Sequence, residues 1–308
     1  MSSRELQHYY DRNTALFLRI GSSAGSHAIH RGLWAPGVRN GREAAEHVNT
    51  LLAEGIRANV SGTPRLVLDL GCGVGGTLFS LARAFPEARL HGVTISGNQV
   101  AIAQQLAQQQ GLQARCSFTR GDFEQLRLER RADAIVAVES LVHVARPERF
   151  LATCREHLAP GGVVLIVDDF LAYPVPNGAH AMQRTIDRFR AGWRVPGLCT
   201  LETLEAAAAA VGFQRLYARD LSSLIRTSRP RDRLVALVSP PVRLLGLARR
   251  PFWANVVGGH ALNRAIRKGW IRYRLLALGR PEAGPGMPGG TPPPPGEDPG
   301  TPDTDRRP

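Results

Sequence analysis

Three groups of residues in this chain have the types and the spacing to do chemistry. The first is Asp69-Leu-Gly71-Cys-Gly73-Val-Gly75-Gly76, a carboxylate followed by a glycine cluster directly after the apolar run Leu66-Val67-Leu68. Glycines at such a turn let the backbone approach a ligand at the carboxyl edge of a sheet. The carboxylate of Asp69 can meet a ligand ammonium directly or through water. The second group is Glu139 and His143, four residues apart, in Ala137-Val-Glu139-Ser-Leu-Val-His143. If a turn of helix follows Glu139, the pair shares a face. A carboxylate there can stabilise developing positive charge, and a histidine can take a proton near neutral pH. A capping glutamate beside a satisfied core histidine is the plainer alternative. The third group is Gly121-Asp122-Phe123, where the aspartate, taken alone, reads as a turn residue after a strand.

Gly71, Gly73 and Gly76 also match the dinucleotide fingerprint G-x-G-x-x-G. That site requires an acid about 20 residues on, at the end of the second strand. Val93-Thr94-Ile95 stands there, with no carboxylate, so NAD and FAD are disfavoured.

The elements that must position these residues alternate. Strands are expected at Leu66–Leu68, Arg89–Ile95, Arg115–Thr119, Ala134–Val138 and Val163–Val167, with helices at Thr77–Phe85, Gly97–Gln110 and Pro147–Leu158. Alternation with continuously apolar strands predicts an α/β fold, a Rossmann-like, seven-stranded, mostly parallel sheet with helices on both faces. A helix at Leu201–Val211 and strands at Phe213–Leu221 and Trp270–Leu278 complete it. Residues 1–60 carry helical patterns and form a lead-in that covers the site. Residues 61–280 form the main domain, with helical cap insertions at about 170–200 and 222–268, the second broken at Pro240-Pro241 and Pro251. Residues 281–308 are Pro/Gly-rich without periodicity and are expected to be disordered.

The net charge of +13 raises a nucleic-acid reading, but Lys268 is the only lysine and the arginines are spread along the chain without a like-charge run. No nucleic-acid partner is therefore expected. Arg229–Arg280, where arginines alternate with apolar residues, is a solvated cap face or a contact for an anionic substrate or membrane surface. The four cysteines form no CxxC pair and no metal-ligand spacing. With no secretory leader evident and no apolar run near the ~20 residues of a membrane span, a cytoplasmic protein is expected.

The acid-first loop Asp69-Leu-Gly71-Cys-Gly73 resembles the first motif of the class I S-adenosylmethionine-dependent methyltransferases. His91-Gly-Val-Thr-Ile-Ser-Gly-Asn-Gln99 and Glu139-Ser-Leu-Val-His143 resemble the tocopherol and sterol C-methyltransferase-like group. His8-Tyr9-Tyr10-Asp11 and Ile29-His30-Arg-Gly-Leu-Trp34 resemble that group's lead-in, and Gly192-Trp193-Arg-Val-Pro its substrate cap. The resemblance implies S-adenosylmethionine as cofactor. It places Asp69, Gly71 and Gly73 at its amino-acid end, and Asp122 and Phe123 at the adenine. Thr94 or Gln99 then replaces the missing ribose acid, with Ile95 also at the cofactor, although Gln99 equally suits a solvated helix face. It also implies that Tyr10 faces the cofactor, that His30, Trp34 and Trp193 border the acceptor, and that Glu139 and His143 are catalytic. Tyr9, Tyr10 and Trp34 present ring faces to a cation or serve as core aromatics. The partner is then a small, largely apolar acceptor, methylated at the carbon of an isoprenoid or other secondary metabolite. Oxygen or nitrogen methylation needs only His143 and a pocket. A membrane-surface or regulatory protein that keeps only the fold is the remaining alternative.

Overall fold

A computed structural model describes residues 5–11, 14, 27, 29–128, 130–227, 235 and 251–282. A short helix, α1 (residues 5–11), precedes α2 (Gly41–Asn59). The main domain follows as β1 (Leu66–Leu70), α3 (Gly76–Ala84), β2 (Arg89–Thr94), α4 (Gly97–Gln109), β3 (Cys116–Arg120), β4 (Ala132–Val138), α5 (Pro147–His157) and β5 (Leu158–Leu171). The chain continues through α6 (His180–Trp193), α7 (Leu201–Ala210), β6 (Gln214–Asp220), α8 (Pro251–Arg267) and β7 (Ile271–Gly279).

The seven strands lie in the order β3-β2-β1-β4-β5-β7-β6. The first five are parallel, and β7 runs antiparallel between β5 and β6. The connection order therefore reverses between β1 and β4. The crevice beyond their carboxyl ends is where a doubly wound sheet places its ligand. Asp69 ends up there, level with Gly92 of β2 and Val136 of β4.

Alternate residues of the buried strands feed two cores. Val67, Val136 and Leu165 pack with Leu52 and Ile56 of α2 and with Leu78 of α3 on one face. Leu68, Ile135 and Ile166 pack with Phe150 of α5 and Leu204 of α7 on the other. Side chains cap the helices where the chain turns in. Asn40 accepts from the Glu43 amide at α2, Ser96 from Gln99 at α4 and Thr200 from Thr203 at α7.

A third, smaller core joins the two cap helices. Phe189 and Val195 meet Ala261, Leu262 and Ile266. The helices cross with backbone against backbone, because a Cβ on Gly192 would lie 2.5 Å from the Ala254 carbonyl and 2.6 Å from Gly258 Cα.

The fifth strand departs furthest from the sequence expectation, starting at Leu158 instead of Val163. The fifth strand extends past its apolar run to Leu171, because β7 pairs with it residue by residue from Val163↔Gly279 to Leu171↔Ile271. That extension carries Asp168 and Asp169 to the site. The helix α8 begins at Pro251, where the sequence predicted a break, and residues 236–250 before it lie outside the described residues. The expected break at Pro240-Pro241 and the tail beyond 282 lie outside the described residues.

Candidate active site

A cavity of about 800 Å³ opens over the carboxyl edge of the sheet. Most residues singled out from the sequence line it, with Asp69, Gly71, Gly73, Thr94, Ile95 and Gln99 at one side and Asp122 and Phe123 beyond them, whereas Tyr9 is a core residue that donates to Asn255 Oδ1 at 2.6 Å. Glu139 and His143, with Tyr10, His30, Trp34 and Trp193, line the rest.

The glycine loop is built for close approach. Gly71 and Cys72 both donate to the Val93 carbonyl, at 2.9 and 3.1 Å, which ties the loop to β2. Gly71 has φ +94°, and a Cβ there would come within 2.4 Å of Ser140 Cβ. Ser140 in turn donates to the Leu70 carbonyl at 2.6 Å, which locks the ends of β1 and β4 together. Beside this loop the Asp69 side chain is 2% exposed and, among the described residues, has no hydrogen-bond donor or cation of its own. Burial pushes its carboxyl up to about 7. A buried carboxylate facing a cavity without a partner is costly unless a cationic ligand arrives.

At the end of β2, Gln99 is buried, not solvated. It takes a 2.6 Å hydrogen bond from Thr94 Oγ1 and donates to Thr14 Oγ1 at 3.2 Å. Its polar groups thus brace the lead-in against β2. Asp11 reinforces this, accepting from Ser96 Oγ at 2.5 Å. Past β3, Phe123 packs edge-on to Phe150, with centroids 5.7 Å apart, and this fixes the turn that carries Asp122.

The other side of the cavity is more polar than the sequence suggested. Glu139 stands at φ +50°, outside any helix, and the single 3-10 turn begins only at Leu141. Glu139 and His143 therefore do not share a helix face; the cavity brings them together. A non-glycine residue at positive φ is strained, and such strain gathers at functional sites. The Glu139 Oε1 atom accepts three hydrogen bonds, from Arg31 N at 2.9 Å, Arg31 Nε at 3.0 Å and Tyr273 Oη at 2.9 Å. The Arg31 Nη2 atom reaches Asp169 Oδ2 at 2.6 Å, and its guanidinium lies 4.2 Å from the Tyr273 ring centroid. Burial alone would raise the Glu139 carboxyl. The charge of Arg31, aided by His30 and by the Arg31 hydrogen bonds, outweighs it and holds the group below its usual range. Asp168 goes the other way: burial and the neighbouring Asp169 push it well above the carboxylate range. It accepts from the Asp169 and Val142 amides, and so shapes the turn leading to His143.

Both ring nitrogens of His143 are engaged. Nδ1 lies 3.1 Å from the Arg194 carbonyl, and Nε2 lies 2.7 Å from Tyr10 Oη. A carbonyl only accepts, so Nδ1 carries the hydrogen and Nε2 accepts from Tyr10. The catalytic contact expected of His143 therefore has no free ring nitrogen to make it. His30 follows the same rule: its Nδ1 donates to the Arg31 carbonyl at 3.0 Å, and its Nε2 is buried without a partner. The expectation for Trp34 needs correction on one face, since the Arg226 guanidinium stacks 3.6 Å above its ring. Trp193 sits where α6 crosses α8, in close contact with Gly258. Much of the arginine-rich stretch Arg229–Arg280, residues 229–234 and 236–250, lies outside the described residues.

Arg31, Asp168, Asp169 and Tyr273 were not anticipated. Arg31 lies inside the His30–Trp34 stretch, and two carboxylates closing an apolar strand were a usable signal for Asp168 and Asp169. Tyr273 sat unmarked in the alternation of the last strand.

Comparison with known proteins agrees with this geometry. Residues 67–162 match the family described as "Methyltransferase domain". Norajmaline N-methyltransferase of Rauvolfia serpentina is 33% identical over 148 residues, covering 45% of this chain and 50% of that protein. Methyltransferase GfsG of Streptomyces halstedii is 29% identical over 240 residues, covering 74% of this chain and 79% of that protein. Among solved structures, the mycolic acid cyclopropane synthase CmaA1, complexed with SAH and CTAB, superimposes with a TM-score of 0.71. It is 18% identical and covers 91% of this chain and 98% of that chain, a likeness of fold. The chain spans about half the length of the first curated relatives it matches, 50% and 55%.

Proposed function

We propose that this chain, whose residues 67–162 are a methyltransferase domain, transfers the methyl group of S-adenosylmethionine to a small, largely apolar acceptor. The observation that carries the reading is Asp69, a buried carboxylate that faces the cavity beside the glycine loop and has no cation of its own among the described residues. The ammonium of the cofactor's amino-acid end supplies that cation. Gly71 and Gly73 leave room for it, and Asp122 and Phe123 border the far end where the adenine fits. When bound, the cofactor supplies a methyl group already activated by its positive sulfur. The protein's part is to position the acceptor, exclude water and stabilise charge.

The acceptor side suits methylation of carbon in an isoprenoid or other secondary metabolite. Val138, Val142, Phe189, Val195 and Leu262 give it apolar walls. Glu139 is held ionised beneath them, positioned to stabilise positive charge that develops on an alkene, and the Tyr10–His143 pair provides a destination for the proton that leaves. Oxygen or nitrogen methylation is the second reading, supported by the Tyr10–His143 contact alone. Incubation with methyl-tritiated S-adenosylmethionine and a panel of isoprenoid alkene, phenol and secondary amine tests this. Label entering the alkene supports carbon methylation, and label confined to the phenol or amine supports the second reading. A failure to bind S-adenosylhomocysteine refutes both.

A further inference from the structure

We propose that Arg31 is a positioning residue that turns Glu139 into a fixed carboxylate with one oxygen bound by the protein and the other left for the acceptor. The inference rests on the methyltransferase reading and extends it to a residue outside the expected site.

The geometry is asymmetric. Three donors converge on Glu139 Oε1, two of them from Arg31 itself, one through the backbone amide and one through Nε. Among the described residues no donor reaches Oε2, and Glu139 lines the cavity. A carboxylate that is held by one oxygen cannot rotate about its last torsion without breaking all three contacts. Its second oxygen is therefore aimed, and the backbone strain at φ +50° is offset by this anchoring.

Arg31 is held just as firmly. Nη2 is bound to Asp169 and the guanidinium face rests on Tyr273, while Nη1 is buried without a partner. Two of its three guanidinium nitrogens, Nε and Nη2, are therefore committed to protein carboxylates. Its side chain is 22% exposed and that of Asp169 only 4%, so the Coulomb interaction acts across a medium that screens it less than water does. Glu139 and Asp169 share one guanidinium. Neutralising Asp169 should thus give Glu139 a larger share of its charge.

The test uses full-length protein carrying ¹³C-labelled glutamate side chains, with the Glu139 carboxyl signal assigned by its loss in Glu139→Gln. In the unmodified protein that signal should titrate below the ordinary glutamate range. Arg31→Met should move its midpoint up by at least one pH unit, and Arg31→Lys should recover more than half of that shift. Asp169→Asn should move it down. If Arg31→Met does not fold, Tyr273→Phe and Arg31→Lys carry the test, each with a smaller upward shift. A Glu139 midpoint that stays put in Arg31→Met, or in both substitutes, overturns the proposal. S-adenosylhomocysteine binding by the unmodified protein, measured alongside, separates the two failures. Its absence defeats the methyltransferase reading. Binding together with an unmoved midpoint defeats only the role of Arg31.

Discussion

The hydroxyl of Tyr10 lies 2.7 Å from Nε2 of His143, whose other nitrogen is held by the Arg194 carbonyl. Burial lowers the His143 titration below its usual 6.5, only partly opposed by the Arg194 hydrogen bond and Glu139. Burial and the nearby Tyr9, Glu139 and Asp168 push the Tyr10 hydroxyl well above its usual range. A neutral imidazole behind a neutral phenol is the resting state that the proposed proton route requires. We expect ¹⁵N spectra at pH 7 to show His143 as a single neutral tautomer with hydrogen on Nδ1. Tyr10→Phe should shift the Nε2 resonance, and hydrogen on Nε2 would contradict the relay.

The same group sets a pH dependence of stability. The folded state titrates below 6.5 and the unfolded state near 6.5, so between the two values the unfolded chain binds more protons. The contribution of His143 is complete above 6.5 and is lost as pH falls through the folded value. Urea unfolding at pH 7.5 and pH 5.5 should show a drop that is smaller in His143→Gln. An equal drop in both proteins assigns the effect to other groups.

The glycine loop separates two substitutions that look alike in sequence. At Gly71 an added Cβ meets Ser140 at 2.4 Å, whereas at Gly73 the nearest atom, of Ile29, is 3.5 Å away. Both have positive φ, +94° and +54°, but only the second lies in the small left-handed region that ordinary residues enter. Gly71→Ala should cost about 2–4 kcal/mol of stability, combining strain and overpacking. Gly73→Ala should cost about 1 kcal/mol. Denaturant unfolding of both variants measures the difference, and equal losses would mean that Ser140 yields easily.

Once an acceptor is in hand, Glu139 and His143 separate the two kinds of chemistry. If carbon is methylated, Glu139→Gln should lower kcat by ~10²–10³-fold with little change in KM, because the carboxylate acts on charge present only in the transition state. If oxygen or nitrogen is methylated, His143→Ala should be the more damaging change. Full activity in both variants would remove them from the chemistry.

The doubly wound sheet and the residues at the glycine-loop side of the cavity were legible in the sequence because local signals encode them. Continuous apolar runs, a glycine cluster after Asp69 and a Gly-Asp after β3 are each read within a few residues. The opposite side of the cavity is not local. Arg31, Glu139, Asp169 and Tyr273 come from four distant segments, and only the pairing of β5 with β7 sets Asp169 beside Tyr273. The four-residue spacing of Glu139 and His143 suggested a helix face, but the positive φ at Glu139 breaks it, a backbone choice that the local sequence does not signal. Gln99 likewise looked equally like a solvated residue, because its partner Thr14 belongs to a lead-in whose docking no short pattern reveals.

The most direct measurement is calorimetric binding of S-adenosylhomocysteine, repeated near pH 7 in buffers of different ionisation enthalpy. Burial holds the Asp69 carboxyl near 7 in the free protein, so it is partly protonated there. Pairing with the ligand ammonium favours the ionised form, so binding should release a fraction of a proton at pH 7 and almost none at pH 8.5. Asp69→Asn should weaken binding by ~1.5–3 kcal/mol and abolish the release. NAD should not bind. Tight NAD binding without S-adenosylhomocysteine binding, or S-adenosylhomocysteine binding that Asp69→Asn leaves untouched, would contradict the assignment of this cavity.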